Sequence, residues 1–190
     1  MLALGLEEGT TTKLGIYATN CVEYVLAEFG AYSRSITVVP LYDTLGPNAC
    51  TYIINQAGIE CVVVDSQHRL EALISQANNL TRLKHIVVID KIMESFKSKA
   101  TGFGFKVHTI EEVERLGRAS PREPLKPRPR DLAVICYTSG TTGSPKGAML
   151  SHENIISNLS SVSYQLVSDV AIFAHRLNPI HIEITTKYIH

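Results

Sequence analysis

The chain has 190 residues, of which 45% are hydrophobic, and its 18 basic and 18 acidic side chains leave no net charge. This composition excludes a disordered tail, and the charge balance argues against nucleic acid or an acidic membrane surface as a partner. The four cysteines lack CxxC spacing and no apolar run approaches the ~20 residues that span a bilayer, so we expect an intracellular protein with reduced, buried thiols and no signal peptide, membrane span or anchor in this sequence.

The first half of the sequence alternates between short β-branched runs and segments of helical periodicity. Strands are predicted at residues 13–20, 36–42, 60–65 and 85–90, and helices at 21–34, 47–58 and 66–79. Pro47 and Gly58 would begin and end the second helix, and Asp65–Ser66 would cap the third. The alternation predicts βαβ units, and hence an α/β fold with a mostly parallel sheet flanked by helices.

Beyond residue 90 the periodicity weakens. Residues 96–106 contain two glycines between aromatic side chains and are predicted to form a loop, whereas residues 109–117 are predicted to form a short helix capped by Thr109. Residues 118–130, with four prolines, favour an extended connector. We interpret this connector as solvated, with a docking stretch for SH3-like or anionic partners as the alternative.

The last third begins with a predicted buried strand at residues 131–140. Residues 147–162 are predicted to form a short strand that turns into a helix capped at Ser151. After Val162 neither a helical nor a strand period is sustained. Three histidines in this tail lack the spacing of metal ligands, so we expect no metal site there; they are His175, His181 and His190.

The segment "YTSGTTGSPKG", residues 137–147, has the composition of a phosphate site. Its glycines let backbone N–H groups approach a ligand closely, its hydroxyl groups are hydrogen-bond donors, and Lys146 supplies a positive charge. Composition alone, however, favours an ordinary flexible turn. Pro145 and Gly147 on either side of Lys146 exclude the Walker phosphate loop, and no GxGxxG follows the first strand, which disfavours a dinucleotide enzyme. The loop is predicted to lie between two strands rather than at a helix N-terminus.

The residue order TSGTTGSPKG resembles the signature loop of the adenylate-forming enzymes, which include acyl-CoA synthetases, luciferases and the adenylation domains of peptide synthetases. Residues 39–58, "VPLYDTLGPNACTYIINQAG", resemble long-chain fatty acid–CoA ligases in particular, as do residues 14–35. The latter segment reads Cys-Val-Glu-Tyr at 21–24, where that family often has Arg-Pro-Glu-Trp. The resemblance identifies residues 1–161 as a partial AMP-binding domain and residues 162–190 as a divergent tail.

The resemblance implies activation of a long-chain fatty acid in two steps. The carboxylate attacks ATP to give an acyl-adenylate and pyrophosphate, and the thiol of CoA then displaces AMP, with Mg²⁺ as a cofactor. Lys146 would be catalytic because it neutralises charge on the pyrophosphate leaving group. The β- and γ-phosphates would be held by the preceding residues of the loop, Thr138, Ser139, Gly140, Thr141, Thr142 and Gly143. Family members commonly reside at the endoplasmic reticulum or the mitochondrial outer membrane.

The sequence also departs from the family. No Leu-Pro-Leu-x-His stretch, ribose-binding Asp, hinge or catalytic Lys of a small C-terminal domain is recognisable after the helix at Ser151. We therefore expect a truncated chain that is inactive by itself. Two alternatives stay open: an adenylate-forming ligase for another carboxylic acid, and a non-catalytic fragment that associates with the full-length enzyme.

Overall fold

A computed structural model describes residues 1–46, 48–139 and 144–177, with side chains up to residue 166. Within these residues the strands are β1 (Lys13–Tyr17), β2 (Thr37–Pro40), β3 (Cys61–Val64), β4 (His85–Val88), β5 (Lys106–Thr109), β6 (Leu132–Thr138) and β7 (Lys146–Ser151). The helices are α1 (Val22–Tyr32), α2 (Ala49–Ala57), α3 (Gln67–Ser75), α4 (Glu94–Gly102), α5 (Ile110–Ala119) and α6 (His152–Leu177). Short 3₁₀ turns occupy Leu2–Leu4, Asp43–Leu45 and Ala77–Asn79.

The strands form one sheet in the order β5-β4-β3-β1-β2-β6-β7. Each neighbouring pair from β5 to β6 is parallel, and only the pairing of β6 with β7 is antiparallel. Every residue of β2, β3 and β4 is buried, as near-continuous apolar strands covered on both faces should be. The predicted α/β fold with a mostly parallel sheet is confirmed.

The helices pack on both faces of the sheet, with α2, α3 and α4 on one face and α1 and α5 on the other. One core contains buried residues of α2, α3 and α4, including Ile53, Leu70 and Ala100. The other contains Ala27 and Ala31 of α1, with side chains of α5 packed against it. Because the chain leaves β1 toward one edge of the sheet and β3 toward the other, the carboxyl ends of β1 and β3 form a topological switch point, where such folds bind ligands.

The chain divides into two compact units. The first, Met1–His152, contains the whole sheet and helices α1 to α5. The second begins at Glu153, and its described part is helical as far as Leu177. No helix among the described residues is both long and apolar enough to cross a bilayer.

Two predictions about local structure are wrong. Residues 96–106 belong mainly to α4 and to the start of β5 instead of a loop. The signal was weak because β5 is an edge strand that buries only Val107 and α4 buries only Ala100. Helix α6 continues fifteen residues past Val162, where no helical period was recognised. Residues 163–177 contain neither Gly nor Pro, so nothing in that segment interrupts a helix even though its apolar pattern is irregular.

Several predicted helix boundaries coincide with the observed ones. Gly58 ends α2 in the left-handed conformation with φ of 72°. Thr109 caps α5 in a capping box, accepting from the backbone N–H of Glu112 at 3.2 Å while the Glu112 carboxylate accepts from the Thr109 N–H at 2.9 Å. Ser66 occupies the N-cap of α3, Ser151 immediately precedes α6, and Pro47 lies outside the described residues.

Within the first unit, the backbone of the proline-rich connector is hydrogen-bonded to the residues directly after α1. The Arg34 guanidinium donates to the carbonyl oxygens of Arg122 and Glu123, and the Leu125 N–H donates to Ser33 O at 2.9 Å. Among the cysteines, all of which are free, only Cys61 is buried, and the other three are partly exposed. The expectation of four buried thiols is therefore wrong for Cys21, Cys50 and Cys136.

Candidate phosphate-binding site

The loop singled out in the sequence closes the hairpin of β6 and β7. Thr138 pairs with Lys146, and Tyr137 pairs with Gly147, so the last residue of β6 and the first of β7 lie opposite each other at the end of the ladder. Because β6 runs parallel to β2, this end lies at the carboxyl edge of the parallel strands. The predicted position of the loop between two strands is confirmed.

The described residues at both ends of the loop are accessible to a ligand. Thr138 and Ser139 at one end and Ser144 and Lys146 at the other are exposed. Within the part of the chain that the structure describes, no carboxylate forms a salt bridge with Lys146. The four central residues lie outside the described residues; they are Gly140, Thr141, Thr142 and Gly143. The structure thus brings Thr138, Ser139 and Lys146 together.

A second polar cluster, which sequence reasoning missed, lies at the switch point. Arg69 on α3 binds Asp65 directly after β3 and also contacts Asp43 after β2 at 3.0 Å. Its guanidinium carbon lies 5.0 Å from the centre of the Tyr17 ring, and the Tyr17 hydroxyl donates to Asp43. Asp65 Oδ2 accepts from the Thr19 N–H at 2.8 Å and from its hydroxyl at 2.9 Å. These bonds join the carboxyl ends of three strands.

The electrostatics of this cluster favour ionised carboxylates. Burial raises the pKa of Asp65, but the Thr19 N–H and the Arg69 guanidinium outweigh it and hold the pKa at about 2. The Tyr17 hydroxyl, followed by Arg69, lowers the pKa of Asp43, while burial and the Asp43 carboxylate raise the pKa of Tyr17. The cluster is therefore a salt-bridged network with charged acids at neutral pH.

The sequence carried one signal for this cluster. Asp65 follows an apolar strand directly and Asp43 follows another by three residues, and the carboxyl ends of parallel strands meet at one edge. What the sequence could not show is that Arg69, in the first turn of α3, reaches both. The described residues contain no group of three His, Cys, Asp or Glu side chains able to bind a metal ion.

Solved structures with the same fold define the class of protein. The adenylation–carrier didomain of carboxylic acid reductase from Segniliparus rugosus, solved with AMP, superposes with a TM-score of 0.69 at 23% identity, over 80% of this chain and 23% of that one. The anthranilate CoA ligase AuaEII, solved with anthranoyl-AMP, gives a TM-score of 0.63 at 26% identity, over 80% of this chain and 26% of that one. The fold is that of an adenylate-forming enzyme domain.

The sequence comparison identifies the family. The pattern of the family described as AMP-binding enzyme matches residues 1–182, so the chain belongs to the AMP-binding enzyme family. It is 42% identical over 163 residues to long-chain-fatty-acid–CoA ligase 1 of Homo sapiens, covering 85% of this chain and 23% of that protein. It is 36% identical over 155 residues to the peroxisomal long chain acyl-CoA synthetase 6 of Arabidopsis thaliana, covering 82% and 22%. Within the family the chain is thus similar to long-chain acyl-CoA synthetases, and it spans about a quarter of their length or less.

Proposed function

We propose that this chain supplies the ATP-phosphate-binding loop of a long-chain fatty acid–CoA ligase. In that reaction a fatty acid and ATP give an acyl-adenylate and pyrophosphate, and CoA then replaces AMP to form the acyl-CoA. The observation that carries the proposal is the TSGTTGSPKG segment at the turn of the β6–β7 hairpin, with the exposed Lys146 opposite Thr138. The identity of 42% to a long-chain-fatty-acid–CoA ligase supports this choice of substrate over another carboxylic acid.

The roles of the loop residues follow from the chemistry of a triphosphate. Hydroxyl groups of Thr138 and Ser139 would donate to the β- and γ-phosphate oxygens, together with those of Thr141 and Thr142. Gly140 and Gly143 would let the backbone N–H groups approach the same oxygens. Lys146 would neutralise the charge that builds on pyrophosphate as it leaves.

The other reactants would be held partly or wholly elsewhere. Mg²⁺ would enter bound to the triphosphate, because it is held in nucleotide sites largely by substrate phosphates and water. CoA and the fatty acid are proposed substrates of the whole ligase, of which this chain matches only part. All four cysteines are free, which supports an intracellular location.

The proposal is tested by ATP binding to the purified chain. Lys146→Ala should weaken the affinity for Mg·ATP about tenfold or more in calorimetric titrations, because it removes one charge-assisted contact to phosphate. Lys106→Ala is the matched control, since Lys106 is also an exposed lysine at the start of a strand but lies on β5 at the opposite edge of the sheet. Equal ATP affinity in all three proteins would contradict the assignment of the loop.

Turnover is a separate measurement. We expect no palmitate-dependent release of pyrophosphate from the chain alone, even where Mg·ATP binds, because the chain matches only 23% of the length of the ligase that it resembles. Release at the rate of a complete ligase would refute that expectation while leaving the assignment of Lys146 intact.

We further propose that residues 1–161 form the adenylation portion and residues 162–190 a divergent tail. The alignments with the curated relatives cover 153–163 residues, a length close to that of residues 1–161, whereas the family pattern itself runs to residue 182. A chain ended at residue 161 should then bind Mg·ATP as tightly as the full chain. A tenfold loss of affinity would assign the tail to the domain.

One observation favours a second function, association with a full-length enzyme. The outer face of α1 presents an apolar stripe at helical spacing, formed by Val22, Val25, Leu26 and Phe29, with Phe29 64% exposed. Phe29→Lys should abolish co-sedimentation with a full-length long-chain ligase, and Phe103→Lys, at an exposed phenylalanine after α4, should leave it intact. Absence of a complex with the unmodified chain would rule this function out.

A further inference from the structure

Tyr137 lies at the base of the loop and contacts both of the strands that the loop joins. It is the residue before Thr138 on β6, and only 6% of it is exposed. Its partner across the ladder is Gly147, the residue after Lys146. A Cβ atom on Gly147 would lie 3.1 and 3.2 Å from Cζ and Cε2 of the Tyr137 ring, so the ring packs directly on the Gly147 backbone. One side chain thus contacts both arms of the hairpin next to the candidate phosphate ligands.

The hydroxyl of Tyr137 connects the hairpin to α2. It donates to Gln56 Oε1 at 2.8 Å, and Gln56 Nε2 donates in turn to the Tyr52 hydroxyl at 2.7 Å, one helical turn earlier. Gln56 and Tyr137 are separated by 81 positions in the sequence, so this contact exists only in the fold. The loop is therefore linked through two side chains to a helix on one face of the sheet.

Helix α2 is a firm support for this contact. Its residues Ile53 and Ile54 are completely buried in the core, and the Asn55 side chain donates to Asn79 O at 2.7 Å and accepts from the Thr81 N–H at 3.2 Å. The backbone of such a helix has a fixed position relative to the sheet, although the Gln56 side chain that it carries is itself exposed. The hydrogen bond to Gln56 therefore ties the Tyr137 ring to a fixed helix.

We propose that Gln56 and Tyr137 are positioning residues that hold Thr138, Ser139 and Lys146 at the spacing a triphosphate requires. The inference rests on the proposed function of the loop and extends it to a residue of α2 outside the motif. A loop between two strands has no helix N-terminus to orient its donors, so the geometry of its ends must come from the hairpin and from what anchors it. Among the described residues of the hairpin, Tyr137 and Ile135 both lie against Gly147, and Tyr137 is hydrogen-bonded to α2.

The test compares variants that remove this hydrogen bond with one that removes an equivalent bond elsewhere. Tyr137→Phe deletes the donor, and Gln56→Met deletes the acceptor at similar volume. Gln67→Met is the matched control, because Gln67 on α3 donates to Glu71 at 3.1 Å and accepts from the Met93 N–H at 3.4 Å without contacting the hairpin. Gln56→Glu keeps an acceptor oxygen and serves as the conservative variant.

Two measurements are made on the full chain. Amide hydrogen exchange of residues 138–147 without ligand should become several-fold faster in Tyr137→Phe and Gln56→Met, and stay near wild type in Gln56→Glu and Gln67→Met. The dissociation constant for Mg·ATP should rise about three- to tenfold in the first two, and no further in their double variant, because both remove the same bond.

The outcomes separate this inference from the proposed function. If Lys146→Ala weakens ATP binding while Tyr137→Phe and Gln56→Met change neither exchange nor affinity, the positioning role is overturned and the phosphate site stands. If Lys146→Ala has no effect on ATP binding, the proposed function fails. If amide exchange in Gln67→Met became as fast as in Gln56→Met, the Tyr137–Gln56 bond would contribute only to the general stability of the fold. That result would also overturn the positioning role.

Discussion

Replacing Gly147 with alanine probes how tightly the base of the loop is packed. The added Cβ would lie 2.8 Å from Ile135 Cγ2 and 3.1 Å from Tyr137 Cζ, and the first of these distances is shorter than real Cβ atoms show. Ile135 and Tyr137 are 8% and 6% exposed, so neither side chain can move aside without disturbing the core. Overpacking of this kind costs about 1–3 kcal/mol, and the reduced entropy of the unfolded chain offsets about 0.4–1 kcal/mol of it. We expect a net loss of stability of about 0.5–2 kcal/mol.

Urea unfolding of the chain measures this loss, and a calorimetric titration with Mg·ATP shows whether the displaced Tyr137 ring also disturbs the loop. Gly30→Ala is the control, because a Cβ on Gly30 meets nothing within 4 Å and the residue lies in helix α1. Helix propensity predicts that the control gains up to about 1 kcal/mol. A Gly147→Ala chain as stable as wild type, with unchanged ATP affinity, would refute the close packing of Tyr137 on Gly147 as a determinant of the site.

Two further predictions concern charge. Arg69→Met should lower stability at pH 7 by about 1–3 kcal/mol, because it leaves Asp65 and Asp43 without their cation. In the wild-type chain the stability due to Asp65 is present above its unfolded pKa near 3.8 and is lost as pH falls toward about 2. In Arg69→Met the pKa of Asp65 in the folded chain moves back up toward its unfolded value, so less stability should be lost on acidification, which urea midpoints from pH 7 to 3 would show or contradict. Burial, followed by nearby positive charges, lowers the pKa of His85, and burial also lowers that of His108, whose ring nitrogen lies 3.3 Å from the His85 ring. Stability should therefore fall as pH drops below 6.5, and His108→Asn should make the urea midpoint less sensitive between pH 7.5 and 5.5; an unchanged slope would contradict a role for the pair.

The parallel part of the sheet was predictable because its strands are buried on both faces. Runs such as residues 61–64 and 85–88 need no polar alternation, and the intervening helices carry an apolar face of their own. At the sheet edge this reasoning fails. Only one of the four residues of β5 is buried, so its sequence lacks a strand signal. What defines β5 as a strand is its parallel pairing with β4, from His85↔Lys106 to Val88↔Thr109.

The candidate site was predictable only in its chemistry. The order of residues 138–147 indicates donors for phosphate without any knowledge of the fold. Contacts between distant segments leave no such trace: Arg69 reaches Asp43 across 26 positions and Tyr137 reaches Gln56 across 81. Neither arginine nor glutamine in a helix is unusual, so no local pattern distinguishes Arg69 or Gln56 from an ordinary solvated side chain.

The antiparallel strand β7 is what makes this loop different from a phosphate loop at a helix. In a helix-based site the first amides of the helix already point at the ligand, whereas here each donor depends on the position of the two strand ends. The ladder continues to the pair Thr138–Lys146, so the backbones of these two residues are held at the spacing of one strand pair. Tyr137, packed on Gly147 and bonded to Gln56, fixes the pair immediately before it. Because that support lies outside the motif, a chain that keeps every residue of TSGTTGSPKG and loses the Tyr137–Gln56 bond should still bind phosphate less well.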